Sequence, residues 1–177
     1  VIDAAASKPF GFMPFYPGPG VGGHCIPLDP YYLAWKSKEY DLHTRFIELA
    51  GEINEGMPYY VVAKLQRLLN RRGRCLNGAN ILVLGVTYKA DVGDPRETPA
   101  IKVMELLLHE GASLTYSDPF APSVEIAGHG YQSVDLTPAR LTKSDCALIL
   151  TAHSAVDYEA VVSHAPLVFD TRNGTRN

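Results

Sequence analysis

Two periodicities divide the chain. Between residues 43 and 72, Phe46, Ala50, Ile53, Met57, Val61, Leu65 and Leu68 recur at helical spacing, while Ile47, Val62 and Leu69 populate a second face. This predicts one long helix of roughly 45 Å at about 1.5 Å per residue, covered on two sides and kinked near Gly56 and Pro58. Such length suits a connector between domains or a subunit interface. Just upstream, Asp29-Pro30 has the form of a helix start, with Asp as N-cap and Pro at the first helical position, so a short helix is expected over 31–36. Beyond residue 74 short apolar runs alternate with amphipathic ones. Strands are expected at 80–86, 113–117, 146–150 and 167–170, a weaker one at 131–134, and helices at 99–110, 137–141 and 155–163. That alternation predicts an α/β fold: a Rossmann-like, doubly wound parallel sheet with helices on both faces.

Residues 9–30 break both patterns. Their density of proline and glycine forbids regular structure but permits a defined loop, and Phe10, Phe12, Met13, Phe15 and Tyr16 give it apolar surface that a polar linker would lack. The chain opens on Val1-Ile-Asp-Ala-Ala-Ala, which reads as the last turn of a helix and carries neither an initiator Met nor a signal-peptide n-region, so a piece of a longer protein is expected. With 46% hydrophobic and 20% charged residues and a net charge of -3, the composition is that of an ordinary soluble protein, with no basic excess for nucleic acid or an anionic membrane. No apolar run approaches the roughly 18 residues of a membrane span. The cysteines, Cys25, Cys75 and Cys146, lie far apart without zinc spacing, which fits a reducing, cytoplasmic setting.

Candidate chemistry starts in the loop, in the stretch GPGVGGHCIPLDP at 18–30. A nucleophilic cysteine needs access and a backbone that lets substrate approach, and Gly22-Gly23 before Cys25 and a helix start after it supply both; a small buried hydrophobe is the competing reading. Asp29 lies close enough to share the site, although helix capping alone would explain it, and His24 reads as a structural or rim residue because neighbouring side chains point apart. The segment GVTYKADVGDPRETPA at 85–100 follows a strand, where open α/β sheets bind ligands, but it is too long and too charged to be the GxGxxG of a dinucleotide site. Lys89 and Arg96 could meet an anionic ligand such as a diphosphate, or pair with Asp91, Asp94 and Glu97, the better reading for Arg96. Arg172, in Asp170-Thr-Arg-Asn173, stands at another strand end and with Lys89 would make a phosphate clamp.

These motifs, taken in order, resemble the UDP-glucose/GDP-mannose dehydrogenase family. The loop KPFGFMPFYPGPGVGGHCIPLDP at 8–30 is most similar to the bacterial branch that oxidises UDP-N-acetylhexosamines such as UDP-N-acetylglucosamine. The resemblance implies an NAD-dependent oxidation of a C6 hydroxyl to a carboxylate, with Cys25 as the nucleophile that carries a thiohemiacetal and then a thioester. Asp29 would organise water or the acid/base step, and Tyr16, Gly20, Gly22, Gly23, Lys89 and Arg172 would contact the nucleotide sugar. It further implies an active-site loop over 1–30, central dimerisation helices over 31–73 and a UDP-sugar-binding domain over 74–177. NAD would then be bound mainly by an upstream Rossmann domain absent from this chain, leaving the chain alone inactive but able to form a homodimer. A non-catalytic module for UDP-sugar binding and dimerisation is the alternative, which Cys25 and Asp29 argue against. A cysteine hydrolase is weaker, since no histidine has an identifiable role as base.

Overall fold

The computed structural model describes residues 1–176. A short helix α1 (Ile2–Ala6) precedes the irregular proline-rich loop, after which come α2 (Asp29–Ser37), a 3₁₀ turn (Lys38–Tyr40) and α3 (Arg45–Asn70). The alternating half then runs β1 (Asn80–Leu84), α4 (Pro99–His109), β2 (Ser113–Ser117), β3 (Ser123–Ile126), β4 (His129–Gln132), α5 (Pro138–Lys143), β5 (Cys146–Ile149), α6 (Tyr158–His164) and β6 (Val168–Asp170).

The expected parallel sheet is present. Four strands pair in the order β2-β1-β5-β6, all parallel. Side-chain alternation splits each inner strand between two cores. Ile81 and Val83 of β1 and Cys146 and Leu148 of β5 face a core closed by Val61, Leu65 and Leu69 of α3 and Val103, Met104 and Leu107 of α4. Leu82, Leu84, Ala147 and Ile149 face the opposite way, onto Leu141 of α5 and Val161 of α6. Inner parallel strands buried on both faces read as continuous apolar runs because helices cover them from each side.

Several local expectations change. The weak strand near 131–134 is the second arm of an antiparallel hairpin, β3-β4, which lies beyond β2 and is tied to it by a bridge between Tyr116 and Ser133. Its turn is Ala127-Gly128, both at positive φ (50° and 77°); alanine is an unusual occupant there, so the turn carried no Asn-Gly or Asp-Gly signal. Asp29 is the first residue of α2 rather than its cap. Leu28 precedes the helix, no side chain caps it, and the Cys25 carbonyl accepts the Leu28 and Asp29 amides at 3.0 and 2.8 Å. Helix α6 starts later than expected because the Asp157 carboxylate accepts the Ala160 N–H and sets the cap there. The long helix runs unbroken through Gly56 and Pro58, but it is covered only over its second half. Its first half leaves Phe46 88% exposed and Leu49 and Ile53 exposed as well.

Candidate functional site

The Cys25 loop rests directly on the carboxyl end of the sheet, with contacts so close that no side chain fits between. A methyl group on Gly22 would stand 2.7 Å from the Glu97 carbonyl and 2.9 Å from Tyr88 Cβ, and the Gly23 N–H donates to that same carbonyl at 3.2 Å. Gly20 faces Pro99 and the Asn54 carbonyl. Pro58, lacking an N–H, leaves that carbonyl without its helical donor, so α3 presents it towards the loop. At the other end of the loop a methyl on Gly18 would fall 2.0 Å from Arg172 Nη1, which places the Arg172 guanidinium against the loop backbone. Gly22 is thus needed for contact with the Glu97 backbone, a demand separate from any ligand, whereas at Gly18 the neighbour is the movable end of an arginine side chain.

Within this frame Cys25 is exposed, at the approach to α2. Asp29 is exposed too, and its carboxylate has neither a capping bond nor an ion pair among the described residues. His24 turns to the Asp94 carboxylate at 3.8 Å and to the edge of the Tyr88 ring. Arg96 forms the local network expected of it: Nε and Nη2 each donate to Asp94 at 2.9 Å, and these bonds hold the Asp94 carboxyl down to about 2. Tyr16 lies in a different cluster, donating to Asp3 Oδ1 at 3.1 Å while Arg176 pairs with Asp3 Oδ2 at 2.8 Å.

Lys89 and Arg172 stand at the carboxyl ends of β1 and β6. These strands are separated by β5, two steps of about 4.8 Å, so the strand ends themselves are roughly 10 Å apart. Neither side chain has an acidic partner among the described residues, unlike Arg96.

The mouth between β1 and β5, where the strand order reverses, is filled by protein. His153, which is fully buried, directs Nε2 at Asp118 Oδ2 (3.0 Å) and lies beside Thr87 Oγ1 (3.3 Å). Its Nδ1 accepts the Asp91 N–H at 3.0 Å, so the proton sits on Nε2 and the ring is a neutral donor towards Asp118. Burial pushes the Asp118 carboxyl upward, but hydrogen bonds from His153 and the Val86 and Phe120 amides outweigh it and hold the group below its ordinary value. Nearby, the Tyr158 hydroxyl is buried without a partner among the described residues, and burial pushes it up to about 12, which keeps it a neutral phenol. Sequence reading missed these residues; their place just past strand ends was the one available signal. With this plug in place and no GxGxxG pattern in the loop that follows β1, the residues at this mouth do not form a cradle for a dinucleotide such as NAD. A separate apolar groove of about 720 Å³ opens between the loop and the helices, lined by Ile26, Pro27, Tyr31, Phe46, Gly51 and Pro99 among others.

Comparison with known proteins matches two stretches of the chain. Residues 82–177 match the UDP binding domain of the UDP-glucose/GDP-mannose dehydrogenase family, and residues 1–56 match its central domain. A UDP-N-acetyl-D-mannosamine dehydrogenase of Methanococcus maripaludis is 36% identical over 89% of this chain, and a UDP-N-acetyl-D-glucosamine 6-dehydrogenase of Pseudomonas aeruginosa is 34% identical over 87%. The chain spans only 36% of the length of each. Among solved structures, a UDP-D-ManNAc dehydrogenase from Pyrococcus horikoshii superposes with a TM-score of 0.78 at 29% identity, covering 97% of this chain and 39% of that one. An NDP-N-acetyl-D-galactosaminuronic acid dehydrogenase from Methanosarcina mazei gives 0.79 at 25% identity, covering 98% and 39%.

Proposed function

This chain belongs to the UDP-glucose/GDP-mannose dehydrogenase family, and on that premise we propose that it is the substrate-holding part of an NAD-dependent dehydrogenase that oxidises C6 of a UDP-N-acetylhexosamine. The observation that carries the reading is the seating of the Cys25 loop on the end of the sheet. It sets the loop that carries the exposed Cys25 against Tyr88, the chain neighbour of Lys89, and against Arg172, and neither cation has an acidic partner among the described residues.

In this reading Lys89 and Arg172 hold the diphosphate, and the sugar lies along the loop near Gly20, Gly22 and Gly23. The Cys25 thiolate adds to the C6 aldehyde carbon while the carbonyl oxygen takes a proton, giving a thiohemiacetal; loss of that proton and of the C6 hydride, a second oxidation, leaves a thioester, which water cleaves to the carboxylate and the thiol. Asp29 serves those proton transfers, since its carboxylate is not spent on capping α2. NAD supplies the oxidation when bound, mainly outside these residues, so the chain alone is inactive. The N-acetylhexosamine is favoured by the names of the relatives in both comparisons. Membership of a cytoplasmic homodimer belongs to the same reading; among the described residues no helix is long and apolar enough to cross a membrane.

Calorimetric titration with UDP, UDP-N-acetylglucosamine and NAD tests it. Uridine ligands should bind saturably and NAD should not, and Lys89→Ala or Arg172→Ala should each weaken UDP about tenfold or more, the scale of a lost charge-assisted hydrogen bond. Equal binding by wild type and both variants would remove these residues from the nucleotide site.

A further inference from the structure

The polar groups that plug the mouth of the sheet form a directed chain, and its end is the main chain of Lys89. Asp118 Oδ2 accepts the Val86 N–H at 2.7 Å and the His153 Nε2–H at 3.0 Å. The same ring N–H is 3.3 Å from Thr87 Oγ1, and the Thr87 hydroxyl donates in turn to the Lys89 carbonyl at 3.0 Å. On the far side of the ring, Nδ1 accepts the Asp91 N–H at 3.0 Å, and Asp91 Oδ1 accepts the Ser154 N–H at 2.8 Å. Residues 87 and 91 are therefore both tied to the exit of β5, and Lys89 is carried on the turn between them. A second tie, from the Thr151 hydroxyl to the Thr87 carbonyl at 2.6 Å, fixes the base of that turn.

Burial makes these ties rigid. Thr87, Asp118, Thr151 and His153 are all buried, so opening any bond would leave a polar group without water to replace its partner. The turn also holds Asp91 at a φ of 61°, a conformation unfavourable for a residue with a side chain unless its surroundings impose it. Apolar side chains could fill the same volume, but they could not grip the Lys89 carbonyl and the Asp91 amide. Lys89 stays exposed, and its ammonium has no acidic partner among the described residues.

We infer that Thr87 and His153 are positioning residues that set where Lys89 meets the diphosphate of the nucleotide, without touching the ligand themselves. The inference rests on the reading of Lys89 as a diphosphate contact. It predicts a loss confined to the phosphate part of the ligand and transmitted only through the lysine.

Titrations with UDP and with uridine, which lacks the diphosphate, test this on the chain as it stands. Thr87→Val keeps the volume and removes the hydroxyl, and Thr87→Ser restores it. Thr87→Val should bind UDP about fivefold more weakly with uridine affinity unchanged, and Thr87→Ser should bind UDP within about twofold of wild type. The Thr87→Val/Lys89→Ala double variant should be no weaker than Lys89→Ala alone, because both changes act through one side chain. His153→Gln, which can still donate to Asp118, should fall between wild type and Thr87→Val. The inference is overturned if Thr87→Val weakens UDP and uridine equally, if its effect adds to that of Lys89→Ala, or if it matches wild type while Lys89→Ala does not. A Lys89→Ala variant with normal UDP affinity, or a wild type that binds neither ligand, would instead overturn the nucleotide reading and this inference with it.

Discussion

The carboxyl of Asp118 is shielded from water and would by itself resist ionising, yet donors from His153 and two backbone amides hold it below its ordinary value. A carboxyl whose folded pKa lies below its unfolded value of about 3.9 stabilises the fold above that pH, and the stabilisation is lost as the pH falls through the folded value. The thermal midpoint should therefore be flat near neutral pH and fall below about pH 4. Asp118→Asn, which cannot ionise, should melt lower at about pH 7 and show a shallower acid limb in calorimetric scans; an unchanged limb would assign the acid loss to other carboxylates. Cys25, Lys89 and Arg172 could be singled out from the sequence because each sits in an unusual local context. Thr87, Asp118 and His153 could not, because a place just past a strand end was all that marked them and the parallel crossovers alone bring three strand ends to one point.

Strand β1 ends where Gly85 turns the chain out of the sheet, and the neighbouring exit of β5 makes that turn exacting. Gly85 and Gly78 have nearly the same φ, 77° and 79°, but a Cβ on Gly85 would lie 2.2 Å from the Thr151 carbonyl whereas one on Gly78 meets nothing within 4 Å. Gly78→Ala should cost only the conformational penalty, about 1–2 kcal/mol. Gly85→Ala should cost more than about 3 kcal/mol, since two backbones must also move apart. Urea denaturation of the two variants separates the contributions, and equal losses would mean the β1–β5 contact is soft. Element positions followed well from hydrophobic period, whereas boundaries followed the caps, as at Asp157. The β3-β4 hairpin escaped because Ala127 occupies a turn position that sequence rules give to Asn, Asp or Gly.

Across the whole molecule, the sheet and its cores bury the second half of α3, while Trp35, Leu42, Phe46, Leu49 and Ile53 of the helical segment remain exposed. That much apolar surface on one segment is expected to be covered by a second copy. Light scattering should report twice the chain mass, and Phe46→Asp should shift it to the monomer; a wild type that is cleanly monomeric would contradict the dimer. The amino-acid sequence by itself determined the α/β class, the long helix and the residue types available for chemistry, since periodicity, turn-formers and charge are properties of short stretches of chain. Only the tertiary structure decided that the loop glycines press on Tyr88, Glu97 and Arg172, that Asp29 is free of its capping role, and that His153 and Thr87 grip the Lys89 turn. Each of those depends on atoms far apart in sequence, and packing alone sets their distances.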